Sequence, residues 1–321
     1  MQRKPFPITQ IARIPSNNTP VHAVTFSAGT GQYILTGSQD RTVRLYNPNT
    51  RRQIQAYNAH GYEVLDLAVS EDNARFVSVG GDKTVFLWDV ATATTLRRFN
   101  GHAGRVNACS FGGEGDSVIV SGSFDGTVRV WDAKSRDSRP VMTLSEAKDS
   151  VSSVAVRGGE IFTGSVDGRV RVYDLAMGDV SVDVIAPGKG CTSVQPTKAG
   201  DGYVVSSLDS KVRFMDRGSG KCLQSFGDEG FKNEEYRVRS TLAMADASVI
   251  SGSEDGKVFV WDVLTGEMLH RLWHKDQGAG GGAVAKSSKR DVVSAVAWNQ
   301  LRKQWASAGG DGTVVVWGLE Q

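Results

Sequence analysis

The sequence predicts an all-β, seven-bladed β-propeller, and three observations carry that prediction. A short segment recurs seven times in the 321 residues: a small residue, Gly, Ser, any residue, Asp, then a β-type run ending in an aromatic. Its aspartates fall at Asp40, Asp82, Asp125, Asp167, Asp209, Asp255 and Asp311, with intervals of 42, 43, 42, 42, 46 and 56 residues. Gly is abundant at 37 residues and Pro scarce at 8, against a usual Gly share of about 7%. Tight turns are therefore frequent, in a chain that is neither collagen-like nor Pro-rich. A prior of roughly 150 residues per domain suggests two domains. A four-stranded unit of about 40–45 residues repeated seven times is instead a propeller blade, so 1–321 reads as one domain.

The elements follow in order. Ile8 to Ile14 resembles the outer-strand segments Arg52 to Tyr57 and Thr95 to Phe99, while only four residues follow Trp317. The N-terminal segment is therefore expected to supply the last blade's missing strand, leaving no unpaired join. The first copy is Thr36-Gly37-Ser38-Gln39-Asp40 leading to Tyr46, and the second runs from Ser78 to Trp88 through Gly80-Gly81-Asp82. In the third, Arg105 to Phe111 and Ser117 to Ser121 are strands, and Asp125-Gly126 turns the hairpin because Gly tolerates positive φ. Thr127 to Trp131 and the outer Val141 to Leu144 complete that unit. Val128 and Val130 alternate with Arg129 and Trp131, as expected for a strand packed on both faces. Thr163 to Tyr173 and Ser251 to Trp261 repeat the pattern, while Val205 to Met215 is a worn copy. Ser307 to Trp317 is the last. Residues 275–290, with Gly278 and Gly280 to Gly282, read as a flexible loop insertion that accounts for the 56-residue interval. Gly37, Gly122, Gly126, Gly164, Gly168, Gly252, Gly256, Gly309 and Gly312 are all read as hairpin turn chemistry.

Composition narrows the function classes. Lys plus Arg number 37 and Asp plus Glu 35, a net charge of +2, which argues against a DNA-coating protein. Met1 to Pro7 lacks the apolar core of a secretory signal, and no apolar run approaches the roughly 20 residues that span a bilayer. Cys109, Cys191 and Cys222 suggest neither a disulfide framework nor a zinc pair. Asn17-Asn18-Thr19 fits a glycosylation sequon by chance. A soluble, intracellular chain with reduced thiols is expected.

Gly101-His102, the Ser/Thr-Gly-Ser-x-Asp turns and the endings Trp88-Asp89, Trp131-Asp132 and Trp261-Asp262 resemble WD40 repeats. Longer stretches, chiefly His60–Asn73, Gly80–Thr92, Gly101–Phe111, Gly164–Gly178, Val205–Asp216 and Ser253–Asp262, resemble the mitogen-activated protein kinase organizer type of WD-repeat protein. The resemblance implies a non-enzymatic scaffold, either associated with the spliceosome in pre-mRNA splicing or organising a kinase cascade. It implies protein partners, spliceosomal or kinase-cascade members, with RNA met only indirectly, no membrane, a monomer by itself, and residence in nucleus and cytoplasm.

The chemical candidates read as structural. The seven turn aspartates could form an acidic catalytic ring, but in the family pattern a loop His, a strand Ser, the turn Asp and a Trp bond in series. His60, Ser78, Asp82 and Trp88 fit, as do His102, Ser121, Asp125 and Trp131, both with a Ser-to-Asp gap of four and an Asp-to-Trp gap of six. His270 and His274 are four apart, but an outer strand would not make their rings converge on a metal, and no Cys or carboxylate cluster joins them. Gly280 to Ser287 is one residue short of a P-loop and is followed by a strand, not the helix whose free N–H groups bind phosphate. No nucleophile stands out beside a base. No enzyme, cofactor or metal site is expected. The alternative from another class is a propeller enzyme or small-ligand receptor using the central channel.

Binding is expected on the loops that lead into the innermost strands, because loops on a rigid scaffold carry function. These segments are expected to line one end of the central channel, and they include Tyr62 and Glu63, Arg105, Lys148 and Asp149, Lys189, Tyr236 and Arg237, and Arg290 and Asp291. Tyr and Arg are frequent interface anchors.

Overall fold

The computed structural model describes residues 5–16, 19–275 and 290–319. Within them lie seven four-stranded antiparallel sheets, six running in simple chain order. These blades cover residues 21–58, 64–100, 106–144, 151–184, 191–226 and 240–273. The seventh consists of Val293–Asn299, Gln304–Gly309 and Thr313–Gly318, completed by Thr9–Pro15 from the N-terminal end. Gln10 lies opposite Trp317 and Pro15 opposite Thr313, so the two ends of the chain are paired in one sheet.

Each blade buries both faces against its neighbours. In blade 3, Val128 and Val130 join Val151 and Ile161 of blade 4, while Trp131 packs with Phe99 and Val106 on the blade 2 side. Ala12 and Ile14 share a cluster with Val21 and Ile34 of blade 1 and Val314 and Val316 of blade 7. Trp88, Trp131, Trp261 and Trp305 are fully buried, each worth about 1.5–3 kcal/mol or more in area removed from water.

Innermost strands carry a bulge near their start, between Val106 and Ala108 in blade 3 and at the equivalent place in every blade but the sixth. A bulge re-aims one side chain, and here that side chain reaches the next blade. Asn107 Nδ2 donates to Val151 O at 2.8 Å, Ser152 Oγ to Cys191 O at 2.5 Å and Ser294 Oγ to Val21 O at 3.1 Å.

The repeat glycines divide into two kinds, which corrects the single turn reading. Gly126, Gly168, Gly256 and Gly312 have positive φ in the hairpin turn, where Arg41, Lys83 and Ser210 take the same conformation in blades 1, 2 and 5. Gly37, Gly122, Gly164, Gly252 and Gly309 instead lie in the second strand, most of them where the next blade's innermost strand approaches. A Cβ at Gly122 would stand 2.6 Å from Val151 Cγ1, and one at Gly252 2.0 Å from Val293 O. The GGGAVAKS stretch, the sequon asparagines and residues 276–289 of the expected loop lie outside the described residues.

Turn networks and the channel-mouth face

The turn between the second and third strands of every blade is tied to the segment leading into that blade's innermost strand. The residue just before the turn Asp donates its N–H to a carbonyl there: Gln39 to Pro20, Gly81 to Glu63, Phe124 to Arg105, Val166 to Ser150, Leu208 to Gly190, Glu254 to Lys232 and Gly310 to Val292, all at 2.8–3.0 Å. Seven turns and seven lead-in segments thus form one face around the channel.

Beneath that face each turn aspartate is held by a cation or a histidine. In blade 2, Trp88 Nε1 donates to Ser78 Oγ at 2.8 Å, Ser78 Oγ lies 2.6 Å from His60 Nε2, and His60 Nδ1 lies 2.7 Å from Asp82 Oδ2. Blade 3 repeats the series with Trp131 to Ser121 at 2.8 Å, Ser121 to His102 at 2.9 Å and His102 to Asp125 at 3.0 Å. The carboxylates also accept from Gly61 N and Ala103 N. With Nδ1 donating to the carboxylate, Nε2 accepts from the Ser hydroxyl, so every polar atom in the series has a use. Burial pulls the His102 imidazole below its ordinary pKa, against the pull of Asp125. Hydrogen bonds from Thr127, Ala103 and His102 outweigh burial and hold Asp125 well below the usual carboxylate range.

Blade 7 contains a third series that the spacing reading missed. Trp317 Nε1 donates to Ser307 Oγ at 2.9 Å, Ser307 Oγ lies 2.8 Å from His274 Nδ1, and His274 Nε2 faces Thr313 Oγ1 at 3.1 Å and Asp311 Oδ1 at 3.4 Å. His274 sits one residue past the outer strand Met268–Trp273, while His270 lies within it and stacks on Phe6. In blades 1, 4 and 5 an arginine four residues after the aspartate replaces the histidine. Arg44 pairs with Asp40 at 2.5 Å, Arg171 with Asp167 at 2.6 Å, and Arg213 with Asp209. In blade 6, Lys257 pairs with Asp255. These carboxylates are engaged internally, and among the described residues no group of three or more His, Cys, Asp or Glu side chains could hold a metal ion. Cys109 and Cys191 are buried, Cys222 is exposed, and all three are free thiols.

The innermost strands enclose a cavity of about 430 Å³, lined at one end by Asp66, Cys109, Arg237 and Arg239. Arg239, from blade 6, crosses it to reach blade 2: Nη1 donates to Asp66 Oδ1 at 2.5 Å and Nη2 to Leu65 O at 2.6 Å. Arg237 donates to Asn107 O of blade 3, with its second nitrogen 3.8 Å from Asp66 Oδ2. Asp66 further accepts from Leu67 N and Cys109 N. Burial and then the adjacent Arg239 charge lower the Arg237 pKa.

Arg237 thus lies at one end of the channel, with its guanidinium committed to the neighbouring blades. Arg239 N donates to Ser294 O and Arg239 O accepts from Gly252 N, so Arg239 stands where Asn107 does in blade 3, just before the strand Ser240–Ala243, and its side chain and that of Arg237 line the channel mouth. The other expected residues lie on the loop face. Tyr62, Arg105, Lys148, Asp149, Lys189 and Arg290 are exposed, while Glu63 and Tyr236 are half-buried. Tyr236 N donates to Glu254 Oε1 at 2.8 Å beside Glu234 N and Glu235 N. Asp291 pairs with Lys275. The arrangement offers a broad, rigid, mixed-charge surface, with the titratable groups below it mutually satisfied.

The chain matches the model of the WD domain, G-beta repeat, over residues 8–47, 51–89, 93–132, 138–174, 220–262 and 285–318. The gap contains the worn copy, whose turn reads Ser-Leu-Asp-Ser and whose aromatic position is Met215. The WD repeat domain-containing protein 83 of Homo sapiens is 45% identical over 78% of this chain and 78% of its own length. The protein of that name from Danio rerio is 40% identical over 94% and 89%. A homolog from Dictyostelium discoideum is 27% identical over 95% and 97%.

Proposed function

The chain belongs to the WD40 repeat family, and from that premise we propose that it is a non-enzymatic adaptor gathering protein partners on the channel-mouth face, within a pre-mRNA splicing complex. The observation that carries the adaptor reading is the fixed turn face: seven turns locked from beneath, with exposed Tyr62, Arg105 and Lys189 above. A preordered surface loses little entropy on binding. WD40 propellers generally mediate protein–protein interactions and are generally non-enzymatic. At the channel mouth, Arg237 and Arg239 are spent on Asp66, Leu65 and Asn107, which weighs against a small-ligand receptor there.

The splicing setting rests on the resemblance of the long stretches quoted above, and the same stretches support a cytoplasmic mitogen-activated protein kinase scaffold as the second reading. Residence in nucleus and cytoplasm fits either, and RNA would be met only within a larger assembly. Affinity purification with mass spectrometry from nuclear and cytosolic fractions separates the two. Spliceosomal proteins are the expected catch, kinases would favour the second setting, and neither would reject both. Arg105→Glu with Lys189→Glu is expected to reduce capture at an unchanged melting temperature. Undiminished capture would move the interface off this face.

A further inference from the structure

In the turn motif the residue just before Asp has its backbone committed while its side chain varies from blade to blade, and in blade 6 Glu254 accepts from the lead-in segment. Around the ring the position reads Gln39, Gly81, Phe124, Val166, Leu208, Glu254 and Gly310. Three consecutive blades, 3 to 5, place an apolar group there. Phe124 is 57% and Val166 41% exposed. A Cβ built at Gly190 would touch both Val166 and Leu208 at 3.5 Å, so the space between those two side chains is kept open by a glycine. In blade 2, where the position is Gly81, Tyr62 lies against it instead, and is 61% exposed. Nothing in the turn networks requires these apolar groups, and the exposure of Tyr62, Phe124 and Val166, with Leu208 half-buried beside them, opposes solubility.

Glu63 stands half-buried beside Tyr62, but from Phe124 to Leu208 the exposed lead-in charges are three cations, Arg105, Lys148 and Lys189, against Asp149. The Arg105 guanidinium lies over the Phe124 ring at 5.2 Å, and Lys148 and Lys189 are exposed on the lead-in segments of the next two blades. Asp149 interrupts the row, and Asp125 keeps its charge beside a His102 that burial disfavours as a cation, but the turn carboxylates of blades 4 and 5 are neutralised underneath by Arg171 and Arg213. A molecule of net charge only +2 thus presents a cationic arc with apolar studs.

We propose that this arc, Tyr62–Phe124–Val166–Leu208 with its intervening cations, is the docking site for an acidic amphipathic protein segment, one that alternates carboxylates with large apolar side chains. This deepens the adaptor reading and rests on it for biological meaning. Apolar residues of the partner would cover the studs, and its carboxylates would pair with Arg105, Lys148 and Lys189. The cations also steer such a segment to the face, so association should weaken with salt.

A random peptide display library selected against the full chain tests the proposal. Recovered peptides are expected to be rich in Asp and Glu interleaved with Leu, Phe or Trp, and to lose about tenfold or more in affinity on F124S/V166S/L208S, an anchor-sized effect. Phe124→Ser alone, at the most exposed of the three, is the fallback should the triple variant melt early. Basic or uncharged consensus peptides, no enrichment, or equal binding to the variant would each overturn the proposal. Affinity purification with the same variant keeps the two readings separable. Equal capture of partners by wild type and variant would sink the arc and leave the adaptor, whereas no partners despite peptide binding would sink the adaptor alone.

Discussion

His274 Nδ1 lies 2.8 Å from Ser307 Oγ across 33 positions of sequence, so a residue at the end of blade 6 completes the hydrogen-bond series of blade 7. The ring is buried, and its other nitrogen serves Thr313 and Asp311. His274→Ala leaves both sides short of a partner. Each buried polar group left unsatisfied costs about 1–3 kcal/mol, and the variant should lose about 2–3 kcal/mol in urea denaturation. A loss as small as that of an exposed substitution would show that the series contributes no stability.

The signal for that third series was present in part. Ser307, Asp311 and Trp317 keep the gaps of four and six seen in the other two, but residues 276–289 intervene and push the histidine out of register. Lys275 pairs with Asp291, which brings the two ends of this segment together. A short Gly/Ser linker can therefore replace 277–288 without pulling on His274. Closure cost grows only logarithmically with length, so stability should change by less than about 1 kcal/mol. A larger loss in a thermal melt would mean that the segment packs on the blades.

The bond from Arg239 to Asp66 spans the channel, and removing its carboxylate leaves two guanidiniums facing each other. Breaking such a pair from one side costs about 3–5 kcal/mol, toward the lower end here because Arg239 keeps some solvent contact. Asp66→Ala should therefore be destabilised by about 3 kcal/mol, and adding Arg239→Met should recover part of the loss. A double-mutant cycle in urea checks this. Strictly additive effects would deny that the pair is coupled.

The blade count and the turn aspartates were legible because each depends on residues close in sequence, and the ring closure, although it pairs Gln10 with Trp317, because the last copy lacks an outer strand that Ile8 to Ile14 resembles. A hairpin turn needs its Asp and its positive-φ residue within a few positions, and repetition multiplies that local signal. The arginine partners Arg44, Arg171 and Arg213 are equally local, four residues from their aspartates, but Arg129 keeps the same spacing from Asp125, where His102 holds the carboxylate, so the spacing alone does not name the partner. Arg237 and Arg239 were of a different kind. Their partners Asn107 and Asp66 lie 130 and 173 positions away, and no local spacing brings them together.

The networks give stability an acid dependence in two stages. Burial lowers the pKa of His102 and of His22, so the unfolded chain takes up protons near pH 6.5 that the native one refuses. Stability is then lost as pH falls below about 6.5. Asp167 faces opposition from burial, yet hydrogen bonds from Arg171 and Ser165 hold it at about 2, and Asp125, Asp209 and Asp311 are also depressed. These carboxylates contribute fully above about pH 4, and the contribution disappears between about 4 and 2. The urea midpoint should fall modestly from pH 7.5 to 5.5 and steeply below 4. His102→Gln should shrink the first difference, leaving the part due to His22. An unchanged difference would remove His102 from this account.

The second-strand glycines allow a test of why the repeat needs them. At Gly158 φ is +58° and nothing lies within 4 Å of a built Cβ, so Gly158→Ala meets only backbone strain, about 1–2 kcal/mol. Gly252 has no positive φ, but its Cβ would sit 2.0 Å from the Val293 carbonyl oxygen of the next blade. A backbone atom cannot rotate aside as a side chain can, so blades 6 and 7 must move apart. Overpacking typically costs about 1–3 kcal/mol, and a shift between blades puts Gly252→Ala at or above the top of that range. Guanidinium melts of the two variants decide between the explanations. Greater damage at Gly252 assigns the repeat glycine to close approach of the blades, and greater damage at Gly158 would return it to turn conformation alone.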